Sequence, residues 1–166
     1  MEVRPVIKLS LSKADKAIEL VCKIIFLFMW GLTLVTFFKL PAIIPIHFNG
    51  SGKVDNFGSK NFLFILPFFA TIIYFGIAQL NKFPHIFNYL TAITEENAIR
   101  QYTMATRMLR YLTLAILIIF SIVILFTYQT AIGVKDGLGF WFLPLVFILV
   151  LLPTIIFLRQ SFKKEK

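Results

Sequence analysis

Pro41-Ala-Ile-Ile-Pro-Ile-His-Phe-Asn-Gly-Ser-Gly-Lys-Val-Asp-Asn-Phe-Gly-Ser-Lys60 separates two long apolar runs, and its reading decides the fold. Leu40-Pro41 closes the run before it, because proline disfavours a helical conformation in the preceding residue. Two prolines and three glycines argue against a helix inside the stretch. Ala42 to Phe48 reads as extended chain, and Asn49-Gly-Ser-Gly52 as a turn with Gly52 at positive φ. Ile43, Ile44, Ile46, Phe48 and Phe57 make a freely solvated loop unfavourable, so the stretch is expected to fold onto the ends of the neighbouring helices. His47, Asn49, Gly52, Asp55 and Lys60 crowd into fourteen positions here, whereas lipid-facing helix is chemically quiet.

Outward from this island the chain is oily. Of 166 residues, 58% are hydrophobic, 15% are charged and 20 are Phe, far too apolar for a small soluble core. Runs near 20–39, 61–80, 111–132 and 139–158 each reach the roughly 20 apolar residues that a bilayer about 30 Å thick requires. The expected fold class is an all-α integral membrane protein, one domain over 1–166, with four transmembrane helices and an ordered extracellular loop between the first two. The polar first 19 residues, the length of the first run and the lack of a small-x-small cleavage site predict a retained first helix.

The net charge of +9 does not read as nucleic-acid binding, because Lys and Arg gather at helix ends. Thirteen of seventeen fall in the N-terminal segment (Arg4, Lys8, Lys13, Lys16, Lys23), the middle loop (Lys82, Arg100, Arg107, Arg110) and the C-terminal tail (Arg159, Lys163, Lys164, Lys166). Lys39, Lys53, Lys60 and Lys135 make up the other side. The positive-inside rule then places both termini in the cytoplasm of a cell whose inner (plasma) membrane holds the protein, with the His47 loop outside. Cys22 is the only cysteine, which excludes an internal disulfide and a Cys-rich metal site.

Local signals fill in the rest. Ser12-Lys-Ala-Asp15 predicts a helix start near Lys13, with Glu19 and Lys23 pairing four apart and Lys23 snorkelling to headgroups. Pro67 falls within the second helix, where a neighbour would have to satisfy the freed carbonyl. Asn81, Pro84, His85, Asn88 and Tyr89 form an inner-face motif; Pro84 predicts a turn leaving the helix, with the amides capping it. Thr94-Glu95-Glu96 reads as the cap of a further helix, on which Arg100, Arg107 and Arg110 share a face expected to rest on anionic headgroups. Gly133 to Gly137 is a short turn pairing helices three and four, and Trp141 reads as an interfacial anchor.

Pro41, Ile44, Pro45, His47, Phe48, Asn49, Gly52, Asp55, Phe57, Gly58 and Lys60 together resemble the signature of a bacterial membrane family, domain of unknown function 1648. The resemblance extends over about residues 20–110, taking in Asn81, Pro84, His85, Asn88, Tyr89, Glu95, Glu96, Asn97 and Tyr102; Phe57 stands where the family commonly has Trp. It implies a module shared with larger membrane proteins that confer immunity to a secreted peptide toxin and relay its presence to a regulator.

Pro45, His47, Phe48, Asn49, Gly52, Asp55, Gly58 and Lys60 are thus the candidate binding or loop-structuring residues. A metal site would need three or four ligands, and this face offers His47, Asp55 and Asp136. His85 lies across the bilayer, roughly 30 Å away at 1.5 Å per helical residue. No metal or other cofactor is expected. Thr33, Thr36, Thr71, Tyr74, Thr113 and Ser121 are the polar groups of the spans and read as backbone or interhelical hydrogen-bonding residues rather than a transport path. No nucleophile elbow, Walker loop or H-E-x-x-H occurs. The expected function is non-enzymatic recognition of an extracellular peptide or another membrane protein. The alternatives are an outer-face metal-assisted enzyme using His47 and Asp55, and a structural subunit of a membrane complex.

Overall fold

The computed structural model describes residues 4–162, so Lys163, Lys164 and Lys166 of the charge count lie outside it. The chain is mostly helical: α1 (Lys13–Lys39), β1 (Ile43–Phe48), β2 (Val54–Ser59), a 3₁₀ turn (Lys60–Phe64), α2 (Ile65–Leu80), α3 (Ala98–Ala131) and α4 (Phe142–Ser161). Four segments, Lys13–Lys39, Lys60–Leu80, Ala98–Ala131 and Phe142–Ser161, are long and apolar enough to cross a membrane. Their outward surfaces carry Leu27, Phe28, Phe68, Phe69, Phe147, Ile148 and similar exposed apolar groups, as lipid contact requires.

The all-α expectation is corrected. Ile43–Phe48 and Val54–Ser59 pair antiparallel, with Ile43 opposite Ser59 and Phe48 opposite Val54. β-Branched and proline residues exclude helix from this stretch, and pairing satisfies the backbone of both halves. Irregular register on either side of His47 bends β1. Ile44 joins the core between the helices and Ile46 packs against it, so the hairpin lies on the bundle end as expected.

α1 begins with a reciprocal capping box: Asp15 N–H donates to Ser12 Oγ at 3.2 Å, and Ser12 N–H to Asp15 Oδ2 at 3.0 Å. Pro67 proves to sit in the first turn of α2, where backbone N–H groups lack intrahelical acceptors anyway. α3 starts four residues later than Thr94 and is 34 residues long; Asn97 precedes it without a side-chain cap bond, its amide bonding back to Thr94 N–H and the Ala92 carbonyl. Met29, Thr33, Leu117 and Ile124 are wholly or almost wholly buried and mark the α1–α3 seam as the centre of the bundle. Thr33, Thr36, Thr71, Thr113 and Ser121 each donate to the carbonyl four residues earlier, at 2.7–2.8 Å. Thr71 also accepts from Trp30 Nε1 at 3.1 Å, tying α2 to α1.

The polar end of the bundle departs from expectation at three places. Glu19 pairs with Arg110 across the helices, at 2.8 Å from Nε, rather than with Lys23. Arg107 grips the buried Asp15 with two bonds of 2.7 and 3.0 Å, and Arg100 donates to the Gln160 carbonyl. These arginines each bond a neighbouring helix in addition to sharing a face of α3. Gln101 Nε2 donates to the Ser161 carbonyl at 3.1 Å, so α3 side chains satisfy the open C-terminal end of α4.

Candidate functional site

The turn of the hairpin is built around one amide. Asn49 Oδ1 accepts from Ser51 N–H at 3.0 Å, Ser51 Oγ at 2.7 Å and Lys53 N–H at 3.1 Å. Asn49 N–H donates to the Lys53 carbonyl, and Gly52 N–H to the Asn49 carbonyl, both at 2.8 Å. Gly52 takes a φ of 77°, the positive value its place in the turn demanded. Its carbonyl accepts from Leu138 N–H at 2.7 Å, and Lys53 bridges to Gly137, so the hairpin tip is clasped to the α3–α4 loop. A Cβ on Gly52 would be driven into the Gly139 backbone, and one on Gly137 into the Gly52 carbonyl.

His47 and Asp55 meet across the hairpin, Nδ1 to Oδ1 at 2.5 Å, although both side chains are well exposed. The contact occupies Nδ1 and leaves Nε2 as the ring nitrogen available to a visitor. Phe57 and Ile43 are each about 60% exposed beside this pair, on a hairpin whose other residues Ile44 and Pro45 are buried. Gly58 admits the Ile46 side chain, which would stand 2.7 Å from a Cβ there. Beneath the hairpin is an apolar cavity of about 270 Å³ with Pro45, His47 and Phe48 on one side and Phe62, Val123 and Thr127 on the other.

Lys60 stands apart from the His47–Asp55 pair. Its ammonium donates to the Phe37 carbonyl at 3.4 Å and lies 4.6 Å from the centre of the Phe37 ring, closing the last turn of α1. Gly137 and Gly139 of the α3–α4 loop complete the clasp on the hairpin; the sequence marks Gly137 only as the end of an interhelical turn, and the density of glycine between 133 and 139 is the signal for the rest. Among the described residues, no three His, Cys, Asp or Glu side chains gather as metal ligands would.

The inner-face motif forms a separate structure at the opposite end of α2. Pro84 begins a 3₁₀ turn as expected, but backbone bonds close it, with Asn88 exposed and the Asn81 side-chain oxygen buried without a donor among the described residues. Tyr89 donates to the Pro84 carbonyl at 2.9 Å, and burial pushes its hydroxyl well above the usual phenol range. Arg4 donates to the carbonyls of His85 and Phe87 and lies over the Tyr89 ring, while Tyr102 donates to the Pro5 carbonyl. His85 thus contributes a carbonyl to an N-terminal strap, and the two histidines belong to different sites.

Residues 24–71 match the family model described as domain of unknown function (DUF1648), the family whose signature the island resembles. The match takes in most of α1, the whole hairpin and the start of α2, and stops short of the inner-face motif. A protein of the archaeon Archaeoglobus fulgidus, described only as uncharacterized, is 37% identical over 57 residues, 34% of this chain and 31% of the relative. The alignment thus spans less than a third of that relative's length. No solved structure matches.

Proposed function

We propose that this membrane protein is a non-enzymatic recognition module whose hairpin faces the outside of the cell and binds a peptide or the exposed part of another membrane protein. The observation that carries this reading is the pairing of exposed Ile43 and Phe57 with a hairpin locked by backbone to the α3–α4 loop. Exposed apolar side chains on a rigid support bind with little loss of conformational freedom, which is how recognition surfaces gain affinity. The cavity beneath Phe48 offers an apolar recess for an inserted side chain, and His47 offers a polar contact through Nε2. An immunity-like role fits this arrangement, as does signalling.

A photo-crosslinking phenylalanine analogue at Phe57, irradiated in the host's own cells, should give a discrete adduct with the mass of a peptide or a second membrane protein. The same analogue at Ile43 should give the same adduct, and at lipid-facing Phe147 should not. Lack of a specific adduct at both hairpin positions refutes the reading.

A second reading, an outer-face metal-assisted enzyme, is favoured by the His47–Asp55 contact, since a carboxylate on one ring nitrogen is the usual support of a metal-binding imidazole. The recognition reading expects purified protein to carry no stoichiometric zinc. Near-stoichiometric zinc that disappears in His47→Ala would replace it with the enzyme.

A further inference from the structure

A cavity of about 630 Å³ lies at the bundle end away from the hairpin, between the N-terminal strap and the ends of α1 and α2. Arg110 lines it with a side chain that is 7% exposed. Its Nε is committed to Glu19, but among the described residues neither of its terminal nitrogens has a hydrogen-bond partner. A guanidinium has five donors, so four remain free to meet a ligand from the cavity. Asn81 lines the same cavity, and its side-chain oxygen lacks the opposite partner, a donor.

Lys8 and Lys82 stand at the cavity and are exposed, so two positive charges remain after Glu19 balances Arg110. Leu9, Leu11, Ile77 and Ala78 give the cavity an apolar wall. We propose that this cavity holds the phosphate-bearing headgroup of an anionic glycerophospholipid, with Arg110 donating to the phosphate and a headgroup hydroxyl donating to Asn81. Lys8 and Lys82 supply the preference for net negative charge, and the apolar lining receives the start of the acyl chains. The bilayer delivers such a ligand directly to the helix ends.

Short-chain phosphatidylglycerol, short-chain phosphatidylcholine and inorganic phosphate, titrated separately into protein purified in a neutral detergent, test the proposal through melting temperature and native mass spectrometry. Phosphatidylglycerol should raise the melting temperature saturably and form a one-to-one adduct, at a concentration about tenfold below that needed for phosphatidylcholine. Arg110→Lys, which keeps the charge beside Glu19 but loses the planar fork, should weaken that binding about tenfold. Should Arg110→Lys fold poorly, the surface double variant Lys8→Gln/Lys82→Gln should still lower the preference for phosphatidylglycerol. Equal response to both lipids, or unchanged binding in the variants, overturns the proposal. Saturation by inorganic phosphate at the same concentration overturns the lipid and assigns the site to a soluble phosphate compound.

Discussion

Gly52 is held at positive φ against the Gly139 backbone, so a side chain there meets both conformational strain and a collision. Gly52→Val should cost about 2 kcal/mol or more and lower the melting temperature in detergent. Ser51→Ala loses one exposed hydroxyl bond to Asn49 and should cost no more than about 1 kcal/mol. Equal tolerance at the two positions would mean that the clasp to the α3–α4 loop does not exist in the membrane. The turn was legible at this scale because Asn49 and Gly52 act through their own neighbours in sequence. Lys60 was not, since its place over Phe37 depends on the hairpin doubling back to α1. Glu19 misled for the same reason: Lys23 is near in sequence, but Arg110 is the partner supplied by helix packing.

Between elements, the Asp15–Arg107 pair welds the start of α1 to α3. The Asp15 side chain is 3% exposed, so removing its partner leaves a buried carboxylate uncompensated. Arg107→Ala should cost about 3 kcal/mol, and Asp15→Asn/Arg107→Ala should cost less than the two single changes added together. Strict additivity in thermal unfolding would show that the two side chains do not interact. Four helices were readable from apolar run length, and their limits in sequence agree closely for α2. The polar beginnings of α1 and α3 extend well beyond the apolar windows, to Lys13 and Ala98, because capping and ion pairs continue the helix where hydropathy stops. The hairpin was expected as extended chain and turn, but the strand pairing itself needed a register that no single segment encodes.

For the molecule as a whole, the proposed orientation rests on the thirteen-to-four distribution of Lys and Arg. In a Cys22→Ala background, a cysteine at Ser51 should react with an impermeant thiol reagent added to intact cells, while one at Glu95 should react only after lysis. The reverse pattern would invert the molecule and remove the case for extracellular recognition. The proposed orientation is argued from charge along the chain alone, whereas the Arg110 cavity required three separate segments to be placed together.

α4 has no buried residue in its apolar window, yet both of its ends are fastened. Leu138 N–H holds the loop before it to Gly52, and Gln101 and Arg100 hold the carbonyls of Ser161 and Gln160 after it. Along its length a groove of about 540 Å³ separates it from α3, with Ile118 on one wall and Leu152 on the other. Pro153 interrupts its hydrogen-bond ladder within that reach. Mechanically this is a strut pinned at both ends and compliant in the middle. One of its pins is the tip of the hairpin whose strands carry His47 and Asp55, so α4 and that pair are joined through a single backbone clasp.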